Sequence, residues 1–241
     1  MTQLEDTCTH CKSALVVMSG GQDSATCLLW ALDRFAHVRA IAFDYGQRHR
    51  VELACARTLC ERWGVSLEVV ETPSLAHVAR ANALTSDEPI DDGGGERIPS
   101  TFVPGRNLMF LTLAASFATR HNISTIVVGV CQADFSGYPD CREDTMRALE
   151  LALRLGLDED RLAIETPLMW LTKAETWALS DVCAGSRGVD DIIWHTHTCY
   201  AGDHATRHAW GYGCGDCPAC NLRASGWREW QASREEGERD D

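Results

Sequence analysis

Two stretches of this chain carry residue types at spacings that suit chemistry. The first is Ser19-Gly20-Gly21-Gln22-Asp23-Ser24, which follows an apolar run, 14–18, and leads into a helix-like run, 25–32. Strand, glycine turn and helix together form the layout of a phosphate cradle. Glycines let the backbone turn tightly, so that its N–H groups converge on an anion. A helix starting at Ser24 adds free N–H groups and the positive end of its dipole. No Gly-Lys-Ser/Thr follows, so the stretch is not a Walker-type loop; the plainer alternative is an ordinary glycine turn. The second stretch is Cys214-x2-Cys217-x2-Cys220. By composition alone such a triple arises in roughly three chains in a hundred, whereas a lone Cys-x2-Cys arises in about every second chain. Cys8-x2-Cys11 therefore carries little weight and reads as an exposed end. Three thiolates at this spacing can wrap one cation, and Zn²⁺ asks for four tetrahedral ligands. Cys199 is the natural fourth, with His195, His197, His204 and His208 as rivals. Four sulfurs leave no open position for water, so the zinc is expected to be structural.

The elements that must position these groups alternate. Strands are expected at 14–18, 38–43, 66–70, 124–130 and 162–165, and helices at 25–32, 48–63, 107–120, 142–155 and 172–183. This alternation calls for a doubly wound parallel five-stranded sheet with right-handed crossovers and helices on both faces, an α/β fold. Thr172 followed by Glu175 reads as a capping box. The span 72–104 holds Asp91-Asp92-Gly93-Gly94-Gly95 and reads as a lid, binding loop or insert. The chain thus divides into an extension, 1–13, an α/β unit, 14–194, a zinc-binding segment, 195–227, and an acidic tail, 228–241, expected to be solvated and disordered.

Composition narrows the function class. At 241 residues and 45% hydrophobic content the chain can bury one good-sized core. A formal charge of −13 argues against general affinity for nucleic acid. No apolar run approaches a membrane span, and residues 1–12 have no signal-peptide core, which places the protein in the cytoplasm. There, twelve cysteines point to metal ligation or buried thiols rather than disulfides.

The loop at 19–24 resembles the pyrophosphate loop of ATP pyrophosphatases, which cut ATP between the α- and β-phosphates. More of the chain is similar to the 7-cyano-7-deazaguanine synthase family. The matching stretches are 19–24, Phe43-Asp44-Tyr45-Gly46-Gln47-Arg48-His49-Arg50, Thr101-Phe102-Val103-Pro104-Gly105-Arg106-Asn107, Asp134-Phe135-Ser136-Gly137-Tyr138-Pro139-Asp140-Cys141-Arg142, Glu165-Thr166-Pro167-Leu168, Lys173-Ala174-Glu175-Thr176-Trp177, and Thr198-Cys199-Tyr200 with 214–223. The opening motif is superfamily-wide, whereas the Phe-Ser-Gly-Tyr-Pro-Asp-Cys-Arg block is specific.

The resemblance implies an adenine nucleotide α-hydrolase-like fold with a zinc knuckle. It also implies a carbon–nitrogen ligase: 7-carboxy-7-deazaguanine, ammonia and ATP give a nitrile through adenylated acid and amide, with release of AMP and pyrophosphate. Zn²⁺, Mg²⁺ with the ATP, and a homodimer come with it. On that reading Met18, Ser19, Gly20, Gly21, Gln22, Asp23, Ser24, Ala25, Thr26, Cys27 and Leu28 bind ATP, with adenine near Phe43 and Tyr45. Asp23 is the catalytic Mg²⁺ contact, and Lys173 reaches phosphate oxygens as a point charge. Asp134 or Asp140 accepts from the base's pyrimidine edge, unless it caps a loop; Phe135 or Tyr138 stacks on the base, unless it packs in the core; and Arg106 or Arg142 forks onto the reacting carboxylate. His49 is a possible proton shuttle, or a surface histidine. The metal ligands are Cys199, Cys214, Cys217 and Cys220. Two other readings remain: an adenylating enzyme for another carboxylate, or for attaching a deazaguanine to a macromolecule, and a zinc-bearing binding module without turnover.

Overall fold

The computed structural model describes residues 13–47, 50–73, 75, 100–132 and 138–240. Five parallel strands form one sheet in the order β3-β2-β1-β4-β5. They are β1 (Ser13–Val17), β2 (His37–Asp44), β3 (Ser66–Glu71), β4 (Thr125–Val127) and β5 (Ala163–Glu165). The helices between them are α1 (Gln22–Arg34), α2 (Val51–Arg62), α3 (Arg106–Arg120), α4 (Glu143–Leu157) and α5 (Lys173–His195). A two-stranded ribbon, β6 (Arg207–His208) with β7 (Gly211–Tyr212), and a last helix, α6 (Pro218–Asp240), complete the described chain.

Parallel strands covered on both faces read as continuous apolar runs, and each face takes every second residue. Ala14, Val16, Ala40, Ala42 and Val127 point to one layer, with Leu28 of α1, Leu53 of α2 and Trp177 of α5. Leu15, Ile41 and Ile126 point to the other, with Leu111 and Ala115 of α3 and Met146 and Leu153 of α4. Leu15, Ile41 and Ile126 are fully excluded from water, and each such side chain contributes roughly 1.5–3 kcal/mol. The C-terminal segment belongs to the first layer: Cys199, Trp210, Cys220 and Trp230 share its buried cluster.

Three expectations need correction. The first helix begins at Gln22, with Gly21 as its N-cap residue, so Ser24 lies inside it rather than at its start. The capping box at Thr172 and Glu175 is present, but the helix it opens runs on to His195 across a kink at Gly185 (φ 60°, ψ −162°). The acidic tail is not an irregular end: α6 continues through it to Asp240. Its anchor is aromatic. Trp227 and Trp230 lie 4.8 and 6.1 Å from the Trp177 ring, and Arg234 covers Trp230. Burying such rings outweighs what a charged composition suggests. Much of the 72–104 span, including the triple glycine, lies outside the described residues, as do Cys8 and Cys11.

Candidate active site

β1 is flanked by β2 on one side and β4 on the other, so the strand order reverses direction at β1. In open α/β sheets such a switch point leaves a crevice beyond the carboxyl ends of the strands. A cavity of about 330 Å³ lies there, lined by Met18, Phe43 and Val128 from three strand ends and by Ser19, Gly21, Gln22, Asp23 and Ser24.

The phosphate loop is held by its own hydroxyls. Ser24 Oγ accepts from the Gly20 N–H at 3.2 Å and donates to the Gly21 carbonyl at 3.1 Å. Ser19 Oγ accepts from the Gly21 N–H at 3.3 Å. Gly20 sits at φ +90°, and a Cβ there would fall 2.0 Å from the Glu52 carbonyl oxygen. Only glycine fits, because both the backbone angle and the space exclude a side chain. Gln22 is buried, and among the described residues neither of its amide atoms has a hydrogen-bond partner. An unpaired buried amide on a cavity wall is suited to a polar ligand.

Asp23 and Lys173 meet in this cavity. The ammonium donates to both carboxylate oxygens, at 2.8 and 3.1 Å. Gly226 of α6 packs against Lys173, and a Cβ at 226 would come within 2.6 Å of the lysine Cβ. Gly129 gives the same clearance beside Asp23, where a Cβ would stand 3.0 Å from the aspartate's backbone carbon. Sequence spacing does not predict this pairing of residues 150 apart.

The other sequence-derived residues fall in three sets. Phe43 and Tyr45 line the cavity, with Phe110 stacked on Phe43 at 4.3 Å and 7°. Arg106 and Tyr138 line it as well; the Tyr138 hydroxyl is hydrogen-bonded to Thr101. Burial opposes the charge on Arg106, but Tyr45, Tyr138 and Asp140 hold its pKa above the ordinary value. Ala25, Thr26, Cys27 and Leu28 are buried in α1 and do not line the cavity; Thr26 bonds Ser180 at 2.8 Å. Asp140 is buried as a helix cap: its Oδ2 accepts from the Asn107 N–H at 3.1 Å, at the start of α3. Arg142 is exposed at the N-cap position of α4, away from the cavity. Asp134, Phe135, Arg48 and His49 lie outside the described residues.

Two wall residues escaped sequence reasoning. Arg223 of α6 is 1% exposed. It donates to the Trp210 and Ile192 carbonyls and to Thr198 Oγ1, at 2.9 to 3.0 Å. Burial lowers its pKa to about 10, against the pull of Asp23. Glu52 stands in the first turn of α2, and burial raises its carboxyl to about 7, with Arg106 pulling the other way. A helix-start glutamate gives no sequence signal of burial, because its neighbours Gly20 and Arg106 come from distant parts of the chain.

The four expected cysteines converge: the sulfurs of Cys199, Cys214, Cys217 and Cys220 all lie within 4.8 Å of one another. Two of the separations, Cys214–Cys220 and Cys217–Cys199, are 3.9 and 4.0 Å. A tetrahedron with metal–sulfur bonds of about 2.3 Å has edges of about 3.8 Å, so the tetrad fits a four-coordinate ion. Three of the four rival histidines are engaged elsewhere: His197 with His204 and the Cys199 carbonyl, and His208 with the Gly213 carbonyl. The tetrad is tied to the phosphate loop, because the His197 N–H donates to the Gly20 carbonyl at 3.0 Å. Thr198 Oγ1 accepts from the Gln22 N–H at 3.5 Å.

A switch-point cavity with a serine–glycine loop, beside four thiols placed so that they could hold a metal ion, defines an α/β protein of the nucleotide-binding class. The family model described as "Queuosine biosynthesis protein QueC" matches residues 13–231, and the chain belongs to that family. A 7-cyano-7-deazaguanine synthase from Methylorubrum extorquens (strain PA1) is 53% identical over 92% of this chain and 95% of its own. One from Granulibacter bethesdensis is 52% identical over 91% and 92%. Among solved structures, a 4-thiouridine synthetase–RNA complex with bound ATP aligns with 91% of this chain and 53% of its own, at TM-score 0.51 and 14% identity. That likeness shows the sheet architecture alone.

Proposed function

We propose that this chain converts 7-carboxy-7-deazaguanine and ammonia to 7-cyano-7-deazaguanine, as a carbon–nitrogen ligase that splits ATP to AMP and diphosphate. The observation that carries the reading is the Asp23–Lys173 pair beside the phosphate loop of a chain in this family. A carboxylate is a poor electrophile because oxide leaves badly, whereas AMP leaves well. The acid oxygen attacks the α-phosphorus of ATP, and ammonia then displaces AMP to give the amide. A second ATP takes the amide oxygen, and loss of AMP leaves the nitrile.

The chain's groups suit these steps. N–H groups at 19–24 hold the departing diphosphate, those of Gly20 and Gly21 in exchange for their bonds to the Ser24 and Ser19 hydroxyls. Lys173 donates to phosphate oxygens as well as to Asp23, and Asp23 would hold the Mg²⁺ that accompanies ATP. Arg106 and Arg223 bring two further cations into the wall of a chain whose formal charge is −13, and such focusing draws polyanions inward. Arg106 forks onto the substrate carboxylate, and Tyr138 flanks the base. Adenine stacks against the Phe43, Phe110 and Tyr45 group. The family resemblance assigns Asp134 and Phe135 to the base as well.

The tetrad of Cys199, Cys214, Cys217 and Cys220 would hold zinc, whose role there is to fix the 197–199 segment against Gly20. The protein acts as a homodimer in the cytoplasm. Incubation with ATP, ammonium and the carboxylated base tests the reading: AMP and diphosphate in equal amounts with a nitrile product support it. An amide end-product, or turnover without the base, contradicts it.

A further inference from the structure

Making a nitrile from an amide requires removal of both protons on the amide nitrogen, and among the described residues the groups assigned so far offer no free acceptor. Asp23 is locked to Lys173 through both oxygens. Burial pushes the Tyr45 hydroxyl above the usual phenol value, and the Tyr200 hydroxyl is hydrogen-bonded to Tyr138. The Cys141 thiol is held up to about 12 by burial. Both ring nitrogens of His197 are engaged, with His204 and with the Cys199 carbonyl. Arg106, Arg223 and Lys173 are cations.

Glu52 is different. It lines the cavity, its backbone carbonyl abuts Gly20 of the phosphate loop, and its carboxylate has no hydrogen-bond or ion-pair partner among the described residues. Resting on the nitrile-forming reading, we propose that Glu52 is the catalytic base that accepts the amide nitrogen's protons as the amide is adenylated and AMP departs.

The atoms balance. In the first step the amide oxygen bonds to the α-phosphorus, diphosphate leaves, and one N–H proton passes to Glu52. Glu52 returns that proton to solvent or to the diphosphate. In the second step the C–O bond breaks, the electron pair leaves with AMP, and the second N–H proton passes to Glu52 as the third carbon–nitrogen bond forms. The groups facing Glu52 set its proton affinity. Burial raises it to about 7, and Arg106 of α3 opposes that rise. Tyr45 after β2 and Cys55 of α2 sense the Glu52 charge in turn. Asp23 of α1, Lys173 of α5 and Arg223 of α6 share the cavity wall. A base poised near neutrality combines a useful ionised fraction with useful proton affinity.

The first adenylation, on the acid, moves no proton, and this separates a base from a binding group. The test compares Glu52→Gln and Glu52→Asp with the parent protein in two assays. One is acid-dependent exchange of labelled diphosphate into ATP without ammonium. The other is nitrile formation from the amide base and ATP, followed by mass spectrometry from pH 5.5 to 8.5.

The proposal expects Glu52→Gln to lose at least ~100-fold in nitrile formation while exchange falls no more than a few-fold. It expects the parent rate to climb tenfold per pH step below about 7 and then level. Glu52→Asp should regain part of the rate with that bend displaced to lower pH. Equal losses in both assays would make Glu52 a binding group and overturn the proposal, as would nitrile formation by Glu52→Gln at the parent rate. Retained exchange in the variant certifies its fold. Failure of the parent to make nitrile from the amide would instead overturn the reading of the reaction.

Discussion

Replacing Glu52 by Gln should stabilise the protein increasingly as pH rises from 5 to 8. The native environment lifts this carboxyl from 4.5 to about 7, chiefly by burial. Between those values the folded chain keeps a proton that the unfolded chain has lost. Stability therefore falls as pH climbs through that window, because the native state must either hold the proton or bury a charge. The rise corresponds to about 3 kcal/mol at pH 8. Glutamine is neutral throughout and similar in size, so the variant escapes this loss, and other titrating groups cancel in the comparison. Urea unfolding of both proteins at pH 5 and pH 8, at equal metal content, measures the gap. It should widen by about 2–3 kcal/mol in favour of the variant. A gap that does not change with pH would refute the claim that Glu52 is a strained carboxylate. Activity held at a cost in stability is the pattern of a working site.

Gly226→Ala tests the packing behind Lys173. In open helix, alanine would add up to ~1 kcal/mol, but the clash with Lys173 should reverse the sign to a loss of about 1–3 kcal/mol, read by chemical denaturation alongside slower diphosphate release. Cys214→Ser should release the metal, read by elemental analysis, and slow diphosphate release at least ~10-fold, because the 197–199 segment steadies Gly20. Gly20→Ala should cost about 3 kcal/mol or more, since its Cβ meets the Glu52 carbonyl at 2.0 Å; Gly21→Ala, whose nearest neighbour is 3.4 Å away, should cost much less in thermal unfolding.

The sheet was legible because its strands are buried on both faces and each is followed by an amphipathic run, so period and punctuation agree. The phosphate loop and the cysteine tetrad were legible because their ligands are close in sequence or rare in composition. What was not legible depends on distant partners. Asp140 suits a base edge or a cap; it accepts from the Asn107 N–H at the start of α3, a partner 33 residues away that spacing does not name. Arg142 sits at a helix start and stays exposed. Glu52 and Arg223 look like surface residues of helices and become cavity walls only when α2 and α6 dock. The tail's charge suggested disorder, but two tryptophans on one face of α6 find Trp177.

The most direct test of the central claim follows the substrate's oxygen. With both carboxylate oxygens labelled with heavy oxygen, turnover in the presence of ATP and ammonium should deliver one labelled atom to each of two AMP molecules, with none in diphosphate. Label in water or orthophosphate, with ADP as the nucleotide product, would contradict transfer of AMP onto the acid and amide oxygens.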